Sequence, residues 1–128
     1  MHALIVEDEE NILLSLEFLL TREGYVTSTA KDGAEALKAM EKTVPDLVLL
    51  DVMLPLLDGF EVCRRMRANP ALHKTRIVML TARGRDTEVQ RGLALGADAY
   101  ITKPFSTREL MEKIRALADG NARGNAAG

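Results

Sequence analysis

Short apolar runs alternate with longer amphipathic stretches along most of the chain, and this alternation limits the folds that the sequence can adopt. Four of these runs are too short for a helix and continuously hydrophobic, as expected of strands buried on both faces of a sheet. One run is weaker because it contains serine and threonine. The predicted strands are Ala3–Val6, the weaker Tyr25–Thr29, Leu47–Leu50, Ile77–Leu80 and Ala99–Ile101.

The stretches that follow these strands have the spacing of amphipathic helices. In the first of them, Ile12, Leu16 and Leu19 recur at helical intervals. Before the last, Ser106 and Glu109 have the spacing of a capping box, which predicts a helix start. The predicted helices are Glu10–Arg22, Ala34–Met40, Phe60–Arg67, Thr87–Leu95 and Thr107–Leu117.

A strand followed by a helix, repeated five times, predicts parallel strands joined by right-handed crossovers, with helices on both faces of one sheet. This is a doubly wound α/β domain, a (βα)5 three-layer sandwich with a five-stranded parallel sheet. Periodicity does not choose the strand order, for which the flavodoxin-like arrangement 2-1-3-4-5 is one candidate. Ligands of such sheets bind beyond the carboxyl ends of the strands, so the residues that follow the strands are the candidates for chemistry.

Composition narrows the classes of function. A chain of 128 residues with 47% hydrophobic content fits one globular domain. A formal net charge of −2 and an aromatic content of 4% argue against direct nucleic-acid binding by this domain. No apolar run approaches the roughly 20 residues that cross a bilayer, and the N-terminus does not resemble a signal peptide, so we expect a cytoplasmic protein without membrane contact. A single cysteine, Cys63, excludes an internal disulfide.

Polar and ionisable side chains follow four of the predicted strands. Glu7 and Asp8 follow the first strand, Asp51 the third, Thr81 the fourth, and Lys103 comes shortly after the fifth. Carboxylates gathered at one edge of a sheet repel each other unless a cation compensates their charge. Oxygen ligands without His or Cys suit a hard ion, and a few carboxylates with room for water favour Mg²⁺ over Ca²⁺. The sequence therefore predicts a magnesium site with Lys103 as a further positive charge.

Each of these residues also has an ordinary structural explanation. An Asp after a strand is often a turn former or a helix N-cap, and this explanation stays open for Asp8 or Asp51 taken alone. Thr81 alone would be an ordinary strand-end hydroxyl, and Lys103 alone a solvated lysine. The acidic pair Glu9–Glu10 is explained by the positive N-terminal end of the first helix, so we assign it no role in the site.

Seven short motifs occur in a characteristic order. They are Leu4–Glu9, Pro45–Asp51, Met53–Pro55, Asp58–Gly59, Leu80–Ala82, Gly96–Tyr100 and Thr102–Phe105. Any one of them could arise by chance, but hardly all of them in this order. From about Ala3 to Leu117 the chain resembles the receiver domains of two-component response regulators, which belong to the CheY-like superfamily. The resemblance implies the flavodoxin-like strand order 2-1-3-4-5.

The resemblance implies a phosphoacceptor switch rather than a turnover enzyme. The Asp51 carboxylate would attack the phosphorus of a phosphohistidine on a sensor histidine kinase or a histidine phosphotransfer protein, giving an aspartyl phosphate. Asp8, Asp51 and the backbone carbonyl of Met53 would bind Mg²⁺ directly, and Glu7 would act through a bound water. Mn²⁺ could substitute for Mg²⁺. Many family members have Asp where Glu7 stands, but the longer side chain still suits a water-mediated role.

The resemblance also implies how the phosphoryl group is held and how the signal leaves the site. Lys103 would pair with one phosphoryl oxygen, the Thr81 hydroxyl would donate to another, and the backbone N–H of Ala82 would assist. Thr81 would move toward the phosphoryl group and Tyr100 would rotate from an exposed to a buried position, while the loop after Thr81 and the Thr87–Leu95 helix shift.

Three further residues have structural roles in the family that this chain resembles. Pro55 and Gly59 would shape the turn and the helix entry after the acceptor. The Lys103–Pro104 peptide bond would be cis and would fix the direction of the lysine, although an X-Pro bond is usually trans.

Many receivers form homodimers through the fourth and fifth helices and the fifth strand. Glu109 and Lys113 match two charges of that interface. Val89 and Ala99 stand where their partner charges usually lie, so the resemblance leaves dimerisation open. We expect three arginines of the third helix to form a solvated face rather than a docking site: Arg64, Arg65 and Arg67.

We expect the receiver domain to occupy residues 1–117 and the small, polar residues 118–128 to form a flexible tail or the start of a linker. Two other functions fit part of the pattern. A phosphatase of the haloacid-dehalogenase type also uses an aspartyl nucleophile and Mg²⁺, but it would have a second Asp where Met53 stands. A pseudo-receiver that only binds proteins would not need the complete set of strand-end residues.

Overall fold

A computed structural model describes residues 1–82 and 86–118 of the chain. Within these residues, five strands alternate with five α-helices, and a short 3₁₀ helix at Pro70–Leu72 precedes the fourth strand. The strands are β1 (His2–Val6), β2 (Val26–Ala30), β3 (Leu47–Asp51), β4 (Arg76–Ala82) and β5 (Ala99–Lys103). The helices are α1 (Glu10–Arg22), α2 (Gly33–Lys42), α3 (Gly59–Ala68), α4 (Asp86–Ala94) and α5 (Thr107–Ala118).

The strands form one parallel sheet in the order β2-β1-β3-β4-β5, which confirms the predicted doubly wound fold and its strand order. The central strand β3 is buried along its whole length, as its continuous apolar run predicted. β2 lies at an edge of the sheet, and its first residue, Val26, is exposed. This edge position explains why the pattern of β2 was the weakest of the five.

Helices cover both faces of the sheet with separate hydrophobic clusters. On one face, Leu49 of β3 belongs to a cluster with Leu16 of α1 and Ile114 of α5. On the other face, Leu50 belongs to a cluster with Met66 of α3. Successive residues of β3 therefore support opposite layers, and the strand is held from both sides.

The strands β3, β4 and β5 extend further toward the predicted site than their apolar runs indicated. Thr81 and Ala82 belong to β4, because they continue the pairing with Thr102 and Lys103 of β5. Asp51 is likewise the last residue of β3. Most of the candidate residues that were expected after the strands are thus held within the sheet, which fixes their backbones more firmly than a loop would.

The start of α5 has the predicted capping box. The Glu109 N–H donates to Ser106 Oγ at 3.0 Å, and the Ser106 N–H faces Glu109 Oε1 at 3.5 Å. In the described part of the chain, no helix is long and apolar enough to span a membrane. The predicted tail falls at residues 118–128, of which 119–128 lie outside the described residues, so this boundary stays a prediction.

The predicted solvated arginine face of α3 is correct for two of its three residues. Arg64 and Arg65 are exposed and pair with Glu61 at 2.5 and 2.7 Å. Arg67 instead turns toward the protein, where its guanidinium lies 2.9 Å from the buried carboxylate of Asp98. The prediction is wrong for Arg67 because its partner is 31 residues away in sequence and gives no local signal.

Candidate functional site

Three carboxylates meet at the carboxyl edge of the sheet. Asp51 ends β3, and Glu7 and Asp8 directly follow β1, the strand that pairs with β3. One carboxylate oxygen from each of the three residues lies within 4.8 Å of the other two. The fold thus brings together the acidic residues that the sequence selected.

These carboxylates differ in their exposure to solvent. Glu7 is fully buried and Asp51 is only 4% exposed, whereas Asp8 is exposed. Burial raises the pKa of Asp51 to about 6, and the negative charge of Glu7 contributes to the increase. Lys103 and the backbone N–H of Met53, which donates to Asp51 Oδ1 at 3.2 Å, oppose it. An additional positive charge beside Asp51 would therefore stabilise the ionised site.

Lys103 connects the two buried carboxylates. Its Nζ lies 2.9 Å from Glu7 Oε1 and 3.1 Å from Asp51 Oδ2. Burial disfavours the charge of the lysine, but Glu7 and Asp51 outweigh this effect and raise the pKa of Lys103. The Lys103–Pro104 peptide bond is cis. One ammonium group is thus shared by two carboxylates, with the exposed Asp8 beside them.

The donor set fits a hard cation. Glu7 Oε2 accepts a hydrogen bond from the Glu9 N–H at 3.1 Å. Glu7 Oε1 is buried and ion-paired with Lys103 Nζ at 2.9 Å, but within the described residues it accepts no further hydrogen bond. Such an atom is costly unless a water or a cation completes its contacts. Glu7 Oε1 can therefore still accept a hydrogen bond from a water ligand of an ion held by Asp8 and Asp51.

Thr81 lies next to this cluster but is engaged elsewhere. It is 2% exposed and follows Leu80, the β4 neighbour of Asp51. Its hydroxyl donates to Glu88 Oε1 in the first turn of α4 at 3.1 Å, and the carbonyl of Ala82 lies at 3.3 Å. The sequence pattern does not single out Glu88, because an acidic residue in the first turn of a helix is ordinarily explained by the helix dipole.

Tyr100 lies in the middle of β5, opposite Met79 of β4. Its side chain is half-buried, and Lys113 Nζ of α5 lies 4.9 Å from the centre of its ring. The predicted movement of the chain after Thr81 falls in part on residues 83–85, which lie outside the described residues, so it stays a prediction.

The segment between β3 and α3 packs closely around the end of β3. The Gly59 N–H donates to the carbonyl of Val52 at 2.9 Å, and a Cβ at Gly59 would collide with the carbonyl oxygen of Asp51. Met53 and Pro55 are exposed at the outer side of this segment. Leu56 has a φ of 69°, a left-handed conformation that the sequence did not indicate.

Together, the fold and the acidic strand-end site define the receiver domain of a response regulator. The model of the response regulator receiver domain family matches residues 3–115, and the chain belongs to this family.

Among proteins of known name, the chain is similar to transcriptional regulators. It is 49% identical over 114 residues to the alkaline phosphatase synthesis transcriptional regulatory protein PhoP of Bacillus subtilis. The aligned residues cover 89% of this chain and 47% of that protein. It is 47% identical over 113 residues to the phosphate regulon transcriptional regulatory protein PhoB of Rhizobium meliloti, and the aligned residues cover 88% of this chain and 50% of that protein. The chain spans about half the length of these relatives.

Solved structures show the same fold. The chemotaxis response regulator CheY4 of Vibrio cholerae matches with a TM-score of 0.85 and 32% identity, covering 91% of this chain and 97% of that one. The signal receiver domain of a signal transduction histidine kinase from Syntrophus aciditrophicus matches with a TM-score of 0.86 and 34% identity, covering 95% and 92%.

Proposed function

We propose that this domain is a phosphoacceptor switch of two-component signalling and that Asp51 is the residue that becomes phosphorylated. The observation that carries the proposal is the buried Asp51 carboxylate, which lies beside Glu7, Asp8 and Lys103 at the end of the central strand. Buried carboxylates in contact destabilise a fold. Phosphoryl transfer, by contrast, requires these groups: a nucleophile, oxygen ligands for a cation, and a fixed positive charge.

In the proposed reaction, a carboxylate oxygen of Asp51 forms a bond to phosphorus while the bond from phosphorus to the imidazole nitrogen of the donor breaks. The imidazole leaves with the electron pair of that bond. Lys103, the Thr81 hydroxyl and the Ala82 N–H bind the phosphoryl oxygens. Water later hydrolyses the acyl phosphate and restores the Asp51 carboxylate, so the domain reacts once for each signal and is not a turnover enzyme.

A divalent cation belongs to the proposed site. When bound, Mg²⁺ supplies the positive charge that screens an anionic nucleophile from an anionic phosphate, and Mn²⁺ would serve in its place. Asp8, Asp51 and the carbonyl of Met53 would hold it directly, with Glu7 acting through a water. The exposure of Asp8 and Met53 leaves this side of the site accessible from solvent.

The proposed phosphoryl donor is a sensor histidine kinase or a histidine phosphotransfer protein. Support comes from an apolar groove beside Lys103, which is lined in part by Ile12, Leu19 and Phe105. A helix that carries a phosphohistidine would find apolar contacts there within reach of the acceptor.

The proposed output uses α4, β5 and α5. A change at Thr81 would reach α4 through Glu88, and a rotation of Tyr100 would alter the surface beside Lys113. This surface would then contact an output domain, a partner protein or a second copy of the chain. Sedimentation with and without beryllofluoride would test the homodimer.

Intact mass after incubation with acetyl phosphate tests the central proposal. We expect a gain of one phosphoryl group that requires Mg²⁺ and is absent in Asp51→Asn. Beryllofluoride, a phosphoryl mimic that is not lost by hydrolysis, provides a second test. If folded protein with Mg²⁺ neither gains mass nor binds beryllofluoride, the phosphoacceptor function is wrong and a purely protein-binding pseudo-receiver becomes the better explanation.

A further inference from the structure

The hydroxyl of Thr81 is bound on the side of α4 rather than on the side of the acceptor. Glu88 Oε1 accepts from Thr81 Oγ1 at 3.1 Å, and the only other contact of this hydroxyl within the described residues is the less favourable one with the carbonyl of Ala82 at 3.3 Å. A bond to an ionised carboxylate is the stronger of the two. The donor expected to serve the phosphoryl group is therefore already in use.

A threonine hydroxyl has one hydrogen to donate. It can point to Glu88 or to an oxygen of a phosphoryl group on Asp51, but not to both. Thr81 is 2% exposed, so water cannot easily replace either partner. Binding of the phosphoryl group by Thr81 and attachment of Thr81 to Glu88 are thus mutually exclusive.

Glu88 is placed so that this exclusion has a structural consequence. It lies in the first turn of α4, and its side chain is half-buried. Its bond to Thr81 links that turn to the end of β4 across only six intervening residues. When Thr81 turns to a phosphoryl group, this link is lost and a carboxylate is left without its donor beside a new negative charge.

We propose that Glu88 is a positioning residue that holds the Thr81 hydroxyl away from the acceptor until Asp51 carries a phosphoryl group. The proposal rests on the phosphoacceptor function proposed above. Glu88 favours the unphosphorylated arrangement, and its release from Thr81 frees the first turn of α4. Its effect on the phosphorylated state must therefore pass through the Thr81 hydroxyl.

Calorimetric titration with beryllofluoride in the presence of Mg²⁺ tests this dependence. We expect Glu88→Ala to bind beryllofluoride about three- to tenfold more tightly than the wild type, the range expected when one competing hydrogen bond is lost. Glu88→Gln keeps a neutral acceptor and should show a smaller gain. Asp86→Asn removes an exposed carboxylate from the same helical turn and should leave the affinity within about twofold, as expected of an exposed charge.

The decisive comparison repeats Glu88→Ala in a Thr81→Ala background, where no hydroxyl competes. There the substitution should change the affinity by less than about twofold, because the two effects are coupled. If its full effect persists without the hydroxyl, Glu88 acts through its charge alone and the proposal is wrong. Equal affinities of wild type and Glu88→Ala would also overturn it. Failure of the wild type itself to bind beryllofluoride would overturn the phosphoacceptor function, and the role of Glu88 with it.

Discussion

Arg67 and Asp98 form an ion pair that joins the last turn of α3 to the residue before β5. Arg67 Nη2 lies 2.9 Å from Asp98 Oδ2, which also accepts from the backbone N–H of Ile77 at 2.8 Å. The same guanidinium donates to the carbonyls of Gly96 at 2.9 Å and Leu72 at 3.2 Å. One arginine thus joins the end of α3 to the nearby Leu72 and to the distant segment Gly96–Asp98, at the edge of the sheet opposite the acidic site.

Arg67→Met should lower the free energy of unfolding by about 2 to 4 kcal/mol, because it removes a guanidinium that pairs with a buried carboxylate and donates to two backbone carbonyls. Urea denaturation followed by circular dichroism measures the loss. Arg64→Met on the same helix is the matched control, since it breaks only an exposed pair with Glu61 and should cost much less. Equal losses would show that the contacts of Arg67 are no stronger than a surface pair.

Asp51→Asn should stabilise the protein in a chelator, by about 1 to 3 kcal/mol, because it removes a buried charge that burial and Glu7 disfavour. Adding Mg²⁺ should raise the thermal midpoint of the wild type and change that of the variant much less. The exposed Glu41→Gln should change neither value. A destabilised Asp51→Asn in chelator would mean that the contact with Lys103 outweighs the cost of burial.

Gly59→Ala should cost about 1 to 3 kcal/mol and slow the reaction with acetyl phosphate, because the added Cβ collides with the carbonyl oxygen of Asp51. Gly92→Ala provides the comparison. Its Cβ would lie 3.3 Å from the flexible side chain of Met79, and the gain in helix propensity offsets that contact. Denaturation measures the stability of both variants, and mass spectrometry measures their rates of phosphorylation. If the two variants behave alike, there is no close fit at Gly59.

Leu56→Gly should raise the free energy of unfolding by about 1 kcal/mol, because Leu56 adopts a left-handed backbone conformation that glycine tolerates without strain. Its side chain is exposed, so little packing is lost. The same substitution at the exposed Leu14, within α1, should have the opposite sign and cost about 1 kcal/mol. If Leu56→Gly is instead destabilised, the Leu56 side chain makes a contact that outweighs its backbone strain.

Cys63 should resist alkylation in the folded protein. It is fully buried, and burial raises the pKa of its thiol to about 11, so the reactive thiolate is scarce between about pH 6 and pH 9. Iodoacetamide at pH 8 should react at least about a hundredfold more slowly in buffer than in urea, with the rate rising as the pH approaches 11. Because the chain has one cysteine, mass spectrometry reads this rate directly. Comparable rates in buffer and urea would mean that α3 opens readily.

The sequence predicted most of the fold because its strongest signals are local. The continuous apolar run of Leu47–Leu50 can only be a strand buried on both faces, and the parallel repeat then places Asp51 beside Glu7 and Asp8. The strand order required the family resemblance, since periodicity carries no information about which strands are neighbours.

Other features depend on contacts between distant segments. Arg67 was predicted to be a solvated surface arginine, because its partner Asp98 lies 31 residues away in the sequence. In the sequence, Glu88 is an ordinary acidic residue of a first helical turn. Only the structure shows that Thr81 donates a hydrogen bond to it. The left-handed backbone of Leu56 could not be predicted from the sequence. This conformation is usually indicated by a glycine, and leucine gives no such indication.

The burial of β3 on both faces links the position of Asp51 to the packing of the core. Asp51 ends a strand that belongs to both hydrophobic clusters, so its backbone is as firmly fixed as the centre of the protein. Amide exchange near it should follow the rarest, global openings rather than local fraying. Substitutions that loosen the core should therefore disturb the position of Asp51, and with it the proposed phosphoryl transfer, before they unfold the chain.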